Sequence, residues 1–138
     1  MGFVKRNIEL EELLDSVGAS WESLTDHEYR GVLAGINEFI EDENCSSLSG
    51  DEAYKEIESK LPFKGYIFSA PRHKLFSVYK SGGENRAIGY SVDNLTQLNR
   101  ERLNHIECVV ANKQLTFACI FNHEWQAMCP ELYLEKNA

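Results

Sequence analysis

Residues 54–70 read Tyr54-Lys55-Glu56-Ile57-Glu58-Ser59-Lys60-Leu61-Pro62-Phe63-Lys64-Gly65-Tyr66-Ile67-Phe68-Ser69-Ala70, and the apolar period changes at Pro62. Before it, Tyr54, Ile57 and Leu61 recur at helical spacing; after it, the run from Gly65 to Ala70 is strand-like. Proline ends the helical pattern because it lacks an N–H and its ring meets the carbonyl one turn back. The chain therefore divides into a helical part, residues 1–62, and a sheet-rich part, residues 63–138.

On the helical side, Leu10, Leu13, Leu14 and Val17 share one face, which predicts a helix from about Ile8 to Val17 with Gly18 as a left-handed C-terminal cap. Thr25-Asp26-His27-Glu28 fits a capping box: the Thr25 hydroxyl accepts from the Glu28 amide and the carboxylate reaches back. Leu24 and Tyr29 flank it as a hydrophobic staple. Tyr29, Val32, Leu33, Ile36, Phe39 and Ile40 then make a wide apolar stripe, predicting a helix to about Glu43. Ser49-Gly50-Asp51-Glu52 has the pattern of a second capping box, and the helix it starts ends before Pro62. The Cys45–Gly50 connection and the termini read as loose.

On the sheet side, strands are expected at Gly65–Ala70, Lys74–Lys80 and Arg86–Val92, with turns at Pro71–His73 and Ser81–Asn85, as an antiparallel meander. Asp93 is placed to cap a short helix through Leu95, Leu98, Arg102 and Leu103. Strands at about Ile106–Ala111 and Leu115–Asn122 flank a turn at Asn112-Lys113-Gln114, and a last extended piece covers Met128–Leu134, which Pro130 marks as an edge. The expected architecture is α+β: N-terminal helices packed on one face of an antiparallel sheet of about five strands, with one short helix inserted between strands. A single domain over residues 1–138 is expected, since this length supports one core.

Composition and motifs exclude several functions. No apolar run approaches the roughly 20 residues that span a bilayer, and Glu9, Glu11 and Glu12 stand where a signal peptide would be apolar, so a soluble, unprocessed, cytoplasmic chain is expected. Cys45, Cys108, Cys119 and Cys129 form no Cys-x-x-Cys pair and are read as reduced thiols, with two disulfides as the alternative. His105-Ile106-Glu107-Cys108 and Asn122-His123-Glu124-Trp125 bring metal-ligand types together but match no recognised site; on a strand, His105 and Glu107 face away from Cys108. Ser81-Gly82-Gly83-Glu84-Asn85 reads as a hairpin turn and not a phosphate cradle, and no Gly-x-Ser-x-Gly occurs. Neither metal nor cofactor is expected, and the chain is read as non-enzymatic. The alternative kept open is a small hydrolase or transferase with Cys108 or Cys119 beside His105 or His123.

Charge is unevenly spread. The 138 residues carry 22 carboxylates and 14 Lys plus Arg, a net of −8; residues 1–62 hold five cations and fifteen carboxylates, net −10, and the remainder is net +2. That balance opposes direct binding of DNA or RNA, although Arg72, His73, Lys74, Lys80 and Arg86 make a modest cationic patch. The densest run is Glu38, Glu41, Asp42 and Glu43, followed by Asp51 and Glu52. These six are the expected contact set for a basic protein partner, because complementary fields accelerate encounter. Against that stands a solvated surface, with Asp51 and Glu52 serving the N-terminus of their own helix. Trp21, Tyr54 and Trp125 are candidate aromatic anchors, Trp21 being read instead as core beside the Leu24–Tyr29 staple.

The small size, the acidic helical first half, the sheet-forming second half and the closing text Leu115-Thr116-Phe117-Ala118-Cys119-Ile120-Phe121-Asn122-His123-Glu124-Trp125 to Leu132-Tyr133-Leu134 resemble bacterial immunity proteins of contact-dependent and related toxin systems. That resemblance implies a cytoplasmic inhibitor of a cognate toxin, often a nuclease, and carries over no catalytic residue. An inhibitor from a phage or mobile element that mimics nucleic acid with its carboxylates shares the same physics. The oligomeric state is left open.

Overall fold

The computed structural model describes residues 8–69, 88–99, 101–103, 108–121, 123–124, 127–128 and 131–135. They form helices α1 (Ile8–Ser16), α2 (Asp26–Glu41) and α3 (Gly50–Ser59), and strands β1 (Trp21–Ser23), β2 (Cys45–Ser49), β3 (Phe63–Ser69), β4 (Ile88–Leu95), β5 (Cys108–Asn112), β6 (Phe117–Ile120), β7 (His123–Glu124), β8 (Ala127–Met128) and β9 (Glu131–Glu135). Seven strands build one antiparallel sheet in the order β1-β4-β3-β5-β6-β9-β2, and β7 pairs with β8 separately. The α+β class is as expected, with seven strands in place of about five. The expected strand at Lys74–Lys80, its flanking turns and the cationic patch lie outside the described residues.

The helices do not share one face, and this corrects the expected layout. Leu10, Leu13 and Leu14 of α1 and Ala53 and Ile57 of α3 pack with Ile67, Tyr90, Val92, Val110, Cys119 and Leu132. Tyr29, Leu33 and Ile36 of α2 pack with Phe68, Val109, Ala111, Ala118 and Ile120, the alternate residues of the same strands, hence the opposite face. The physical reason lies in β5 and β6, every residue of which is buried. Strands apolar on both sides need cover on both sides.

Two strands arise where none was expected. β2 occupies the connection read as loose, paired with β9 over five residues from Cys45↔Glu135 to Ser49↔Glu131. β9 is therefore interior, between β6 and β2, and not the edge that Pro130 suggested. β1 is a three-residue strand on β4, pairing Trp21 with Val92.

The helix ends test the capping expectations. Gly18 takes φ +70°, and Ala19 N–H to Leu14 O (3.0 Å) with Gly18 N–H to Asp15 O (3.1 Å) closes α1 in a Schellman arrangement. At α2 the box is formed: Glu28 N donates to Thr25 Oγ1 at 3.1 Å and Thr25 N donates to Glu28 Oε1 at 2.9 Å. The staple residues Leu24 and Tyr29 sit over Gly89, where a Cβ would come 3.0 and 2.9 Å from them. Glycine at that position lets α2 settle onto β4.

The second box is absent. Ser49 holds the N-cap position of α3 without a side-chain capping bond, because it ends the β2 ladder and Gly50 turns the chain at φ +64°. Asp93 likewise caps nothing: it lies in β4, with its N–H on Ser20 O at 2.9 Å. Asn99 takes that role for the helical turn at 101–103, its Oδ1 accepting from Arg102 N at 3.2 Å.

The hairpin between β5 and β6 depends on Asn112, a buried polar residue 6% exposed. Its Oδ1 accepts from Thr116 N (2.9 Å) and Phe117 N (3.1 Å), while its Nδ2 donates to Thr116 Oγ1 (2.7 Å) and Gln114 Oε1 (3.3 Å). These bonds hold Leu115 at φ 56°, in the left-handed region that leucine disfavours. Replacing Asn112 by Ala strands two backbone donors and should lower stability by about 2 to 3 kcal/mol in denaturant titrations. A loss below a few tenths would show that water replaces the amide.

The α2 box also carries a pH signature. The Thr25 backbone amide, and then its hydroxyl, hold the Glu28 carboxyl below its ordinary value. A depressed folded-state pKa contributes stability above the unfolded pKa, lost as pH falls through the folded value. The stability difference between the wild type and Glu28→Gln should therefore be present at neutral pH and shrink below the ordinary glutamate range, as read by thermal melts across pH. A difference constant with pH would remove the carboxylate from this account.

Candidate functional site

Glu38, Glu41, Asp42, Glu43, Asp51 and Glu52 are all exposed. They do not lie on one helical face. Glu38 and Glu41 belong to α2 on one side of the sheet, and Asp51 and Glu52 open α3 on the other. What connects them is β2, the last strand of the sheet: Glu41, Asp42 and Glu43 come just before it, and Asp51 and Glu52 just after it. The four steps from Cys45 to Ser49 span roughly 13 Å at about 3.3 Å per residue. The carboxylates thus bracket a strand edge and do not coat a helix.

Asp42 makes the corner into β2. Its N–H donates to Phe39 O at 3.3 Å, its Oδ1 accepts from Asn44 N at 2.7 Å, and its carbonyl accepts from Cys45 N at 3.0 Å. The helix dipole separates the two groups of carboxylates. Asp51 and Glu52 sit in the first turn of α3, where the free N–H groups favour negative charge. Glu38 and Glu41 sit in the last turn of α2, where the free carbonyls disfavour it, and that turn holds no basic residue. Local helix stabilisation explains the α3 group and fails for the α2 group.

The aromatic candidates are engaged internally. Trp21 packs edge-on against Tyr90 with centroids 5.1 Å apart and donates Nε1–H to Asp15 Oδ1 at 3.0 Å. This places it with the α1 side, away from the Leu24–Tyr29 staple beside which it was expected. Tyr54 donates its hydroxyl to Leu98 O at 3.3 Å. Trp125 lies outside the described residues.

Sequence reasoning missed Glu11. It sits in the acidic segment yet is 4% exposed, and accepts from the Tyr90 hydroxyl at 2.6 Å. Its position three residues before Leu14, flanking the apolar face of α1, was the available signal. At the other edge of the sheet, Ser20, Trp21, Glu22, Ser91 and Asp93 line an open polar cleft of about 290 Å³. Two lysines meet its acceptors: Lys113 Nζ donates to Ser91 Oγ, and Lys64 Nζ stands 3.9 Å from Asp93 Oδ1.

Cys108 and Cys119 are 0% exposed within the α1–α3 side of the core, and Cys45 is half-buried on β2; all three carry thiols. The side chains of His105 and His123, and Cys129, lie outside the described residues. Among the described residues no three His, Cys, Asp or Glu side chains gather as a metal site, and no helix is long and apolar enough to cross a membrane. No protein-family model matches the chain, and no curated protein or solved structure is significantly similar to it.

Burial of Cys108 and Cys119 bears on nucleophilic chemistry, since an electrophile reaches those sulfurs only when the core opens. In the native protein a disulfide-exchange reagent should label Cys108 and Cys119 slower than Cys45 by on the order of a thousand-fold, peptide mass spectrometry locating the label. Rapid labelling of either core cysteine would instead support a reactive thiol.

Proposed function

We propose that this chain is a cytoplasmic, non-enzymatic immunity protein that binds and inhibits a cognate basic toxin, a nuclease domain being the favoured partner. The observation that carries the reading is the placement of Glu38 and Glu41 in the last turn of α2, where the dipole opposes them, at the head of the acidic run. Carboxylates there cost roughly 0.3–1 kcal/mol each relative to the opposite end of a helix. Exposed groups kept against their helix are understood most simply as serving an external cation.

A nuclease holds phosphates with lysine and arginine, and an anionic surface competes for the same groups. Opposite fields raise the encounter rate above the orientation-limited 10⁵–10⁷ M⁻¹s⁻¹ by roughly ten- to a hundred-fold at low salt. Speed of capture matters for an inhibitor whose partner damages the cell. Steering of this kind weakens as the Debye length falls to about 8 Å at physiological ionic strength.

The test requires the authentic partner, sought as the product of a neighbouring gene and by affinity capture. The triple variant Glu41→Lys, Asp42→Lys, Glu43→Lys should associate with it at least ten-fold more slowly at low salt, with an unchanged circular dichroism spectrum and a flatter salt dependence. Wild-type association rates in that variant would remove these carboxylates from the account.

A further inference from the structure

We propose that the outer edge of β2 is a strand-addition site that takes an extended, lysine- or arginine-bearing segment of the partner as an eighth strand of the sheet. This rests on the reading above that the partner is basic, and adds how it is held.

The backbone directions follow from bonds at two places in the sheet. Phe117 turns its N–H to Asn112 Oδ1, on the β5 side, so the next residue, Ala118, faces β9 and pairs there with Tyr133. Successive residues of a strand present their N–H and C=O to opposite neighbours. Leu132 and Leu134 of β9 therefore face β2, where they pair with Leu48 and Ser46. Cys45 and Ser47, the alternate residues, face outward together with the N–H of Ser49. The Cys45 N–H agrees, since it turns away to Asp42 O at 3.0 Å. Excluding the Ser49 carbonyl, which opens α3, the groups of Ser47 and Ser49 that point outward are Ser47 N–H, Ser47 C=O and Ser49 N–H. No described strand pairs with that side, and Ser47 and Ser49 are exposed.

Edge strands are normally protected by proline, an internal charge or a bulge. Cys45-Ser46-Ser47-Leu48-Ser49 contains no proline and no charge, and its ladder with β9 runs without a register shift. The charges stand at its ends instead, and they select the occupant. A second copy paired antiparallel would bring Glu41–Glu43 of each chain against Asp51 and Glu52 of the other, while parallel pairing would set each group against itself. Both arrangements juxtapose like charges, which is destabilising. A partner strand of about five residues with cations at both ends meets carboxylates at both ends. Main-chain bonds then supply affinity and the terminal charges supply selectivity.

The probe is an eight-residue peptide with a Thr-Val-Thr-Val centre and two lysines at each end, added to the full chain. Fluorescence anisotropy should show binding, and amide exchange by nuclear magnetic resonance should show slowed exchange at Ser47 and Ser49. The same peptide N-methylated at alternate backbone nitrogens keeps its charge but loses donors, and should bind at least ten-fold more weakly. Ser47→Pro, which removes an outward donor, should weaken the parent peptide similarly, and the methylated peptide keeps the test decisive if that variant does not fold. Equal binding of both peptides with unchanged exchange would overturn strand addition while leaving electrostatic capture of the toxin intact. No binding of the parent peptide at millimolar concentration would also overturn it. A dimer in sedimentation analysis that Ser47→Pro abolishes would assign the edge to a second copy. Normal association of the charge-reversed triple variant with the authentic toxin would overturn the proposed function, a separate outcome.

Discussion

The structure depends on two neighbouring strands, β5 and β6, that are apolar on both sides. Val110 and Cys119 project to α1 and α3, and Val109, Ala111, Ala118 and Ile120 to α2. Each uncovered apolar side chain would forgo on the order of 1.5–3 kcal/mol of transfer free energy, so a helix on only one side would be unstable. The chain covers both faces with three helices drawn from its first 62 residues, and to do so it must cross the sheet between α2 and α3. That crossing is β2.

The crossing makes the edge strand a corner of the molecule and not an incidental addition. α2 ends on one face, Asp42 turns the backbone through bonds to Phe39, Asn44 and Cys45, β2 runs along the sheet, and Gly50 at φ +64° delivers the chain to the other face. Carboxylates gather on both sides of this passage because both helix termini are exposed there. At the α3 terminus they also satisfy the dipole; at the α2 terminus they oppose it. Local helix stabilisation therefore accounts for the carboxylates at α3 and not for those at α2.

Polar groups inside the domain are arranged unevenly. Asn112 satisfies the hairpin donors around it, and Glu11 receives the Tyr90 hydroxyl. The Tyr29 hydroxyl and Asn37 Oδ1, both on α2, are buried without a hydrogen-bond partner among the described residues, and burial raises the Tyr29 pKa above the usual tyrosine value. Unpaired buried polar atoms cost free energy, and both of these belong to α2. It is also the helix that ends in the carboxylate run.

Periodicity and caps alone determined the three helices, the α2 capping box at Thr25 and Glu28, the glycine stop at Gly18, the burial of Cys108 and Cys119, and the α+β class. All of these are set within a few residues by spacing or by a local hydrogen bond. The unbroken apolar runs Cys108–Ala111 and Phe117–Phe121 also carried the two-sided burial of the sheet, although this signal competes with the one-sided pattern of an exposed antiparallel sheet. Tertiary structure alone decided that Cys45–Ser49 is a strand, that β9 lies inside the sheet, that Ser49 does not cap, and that six acidic residues bracket an edge. A serine-rich pentapeptide has no strand preference of its own; it became one because β9, more than eighty residues further along the chain, offered it a ladder.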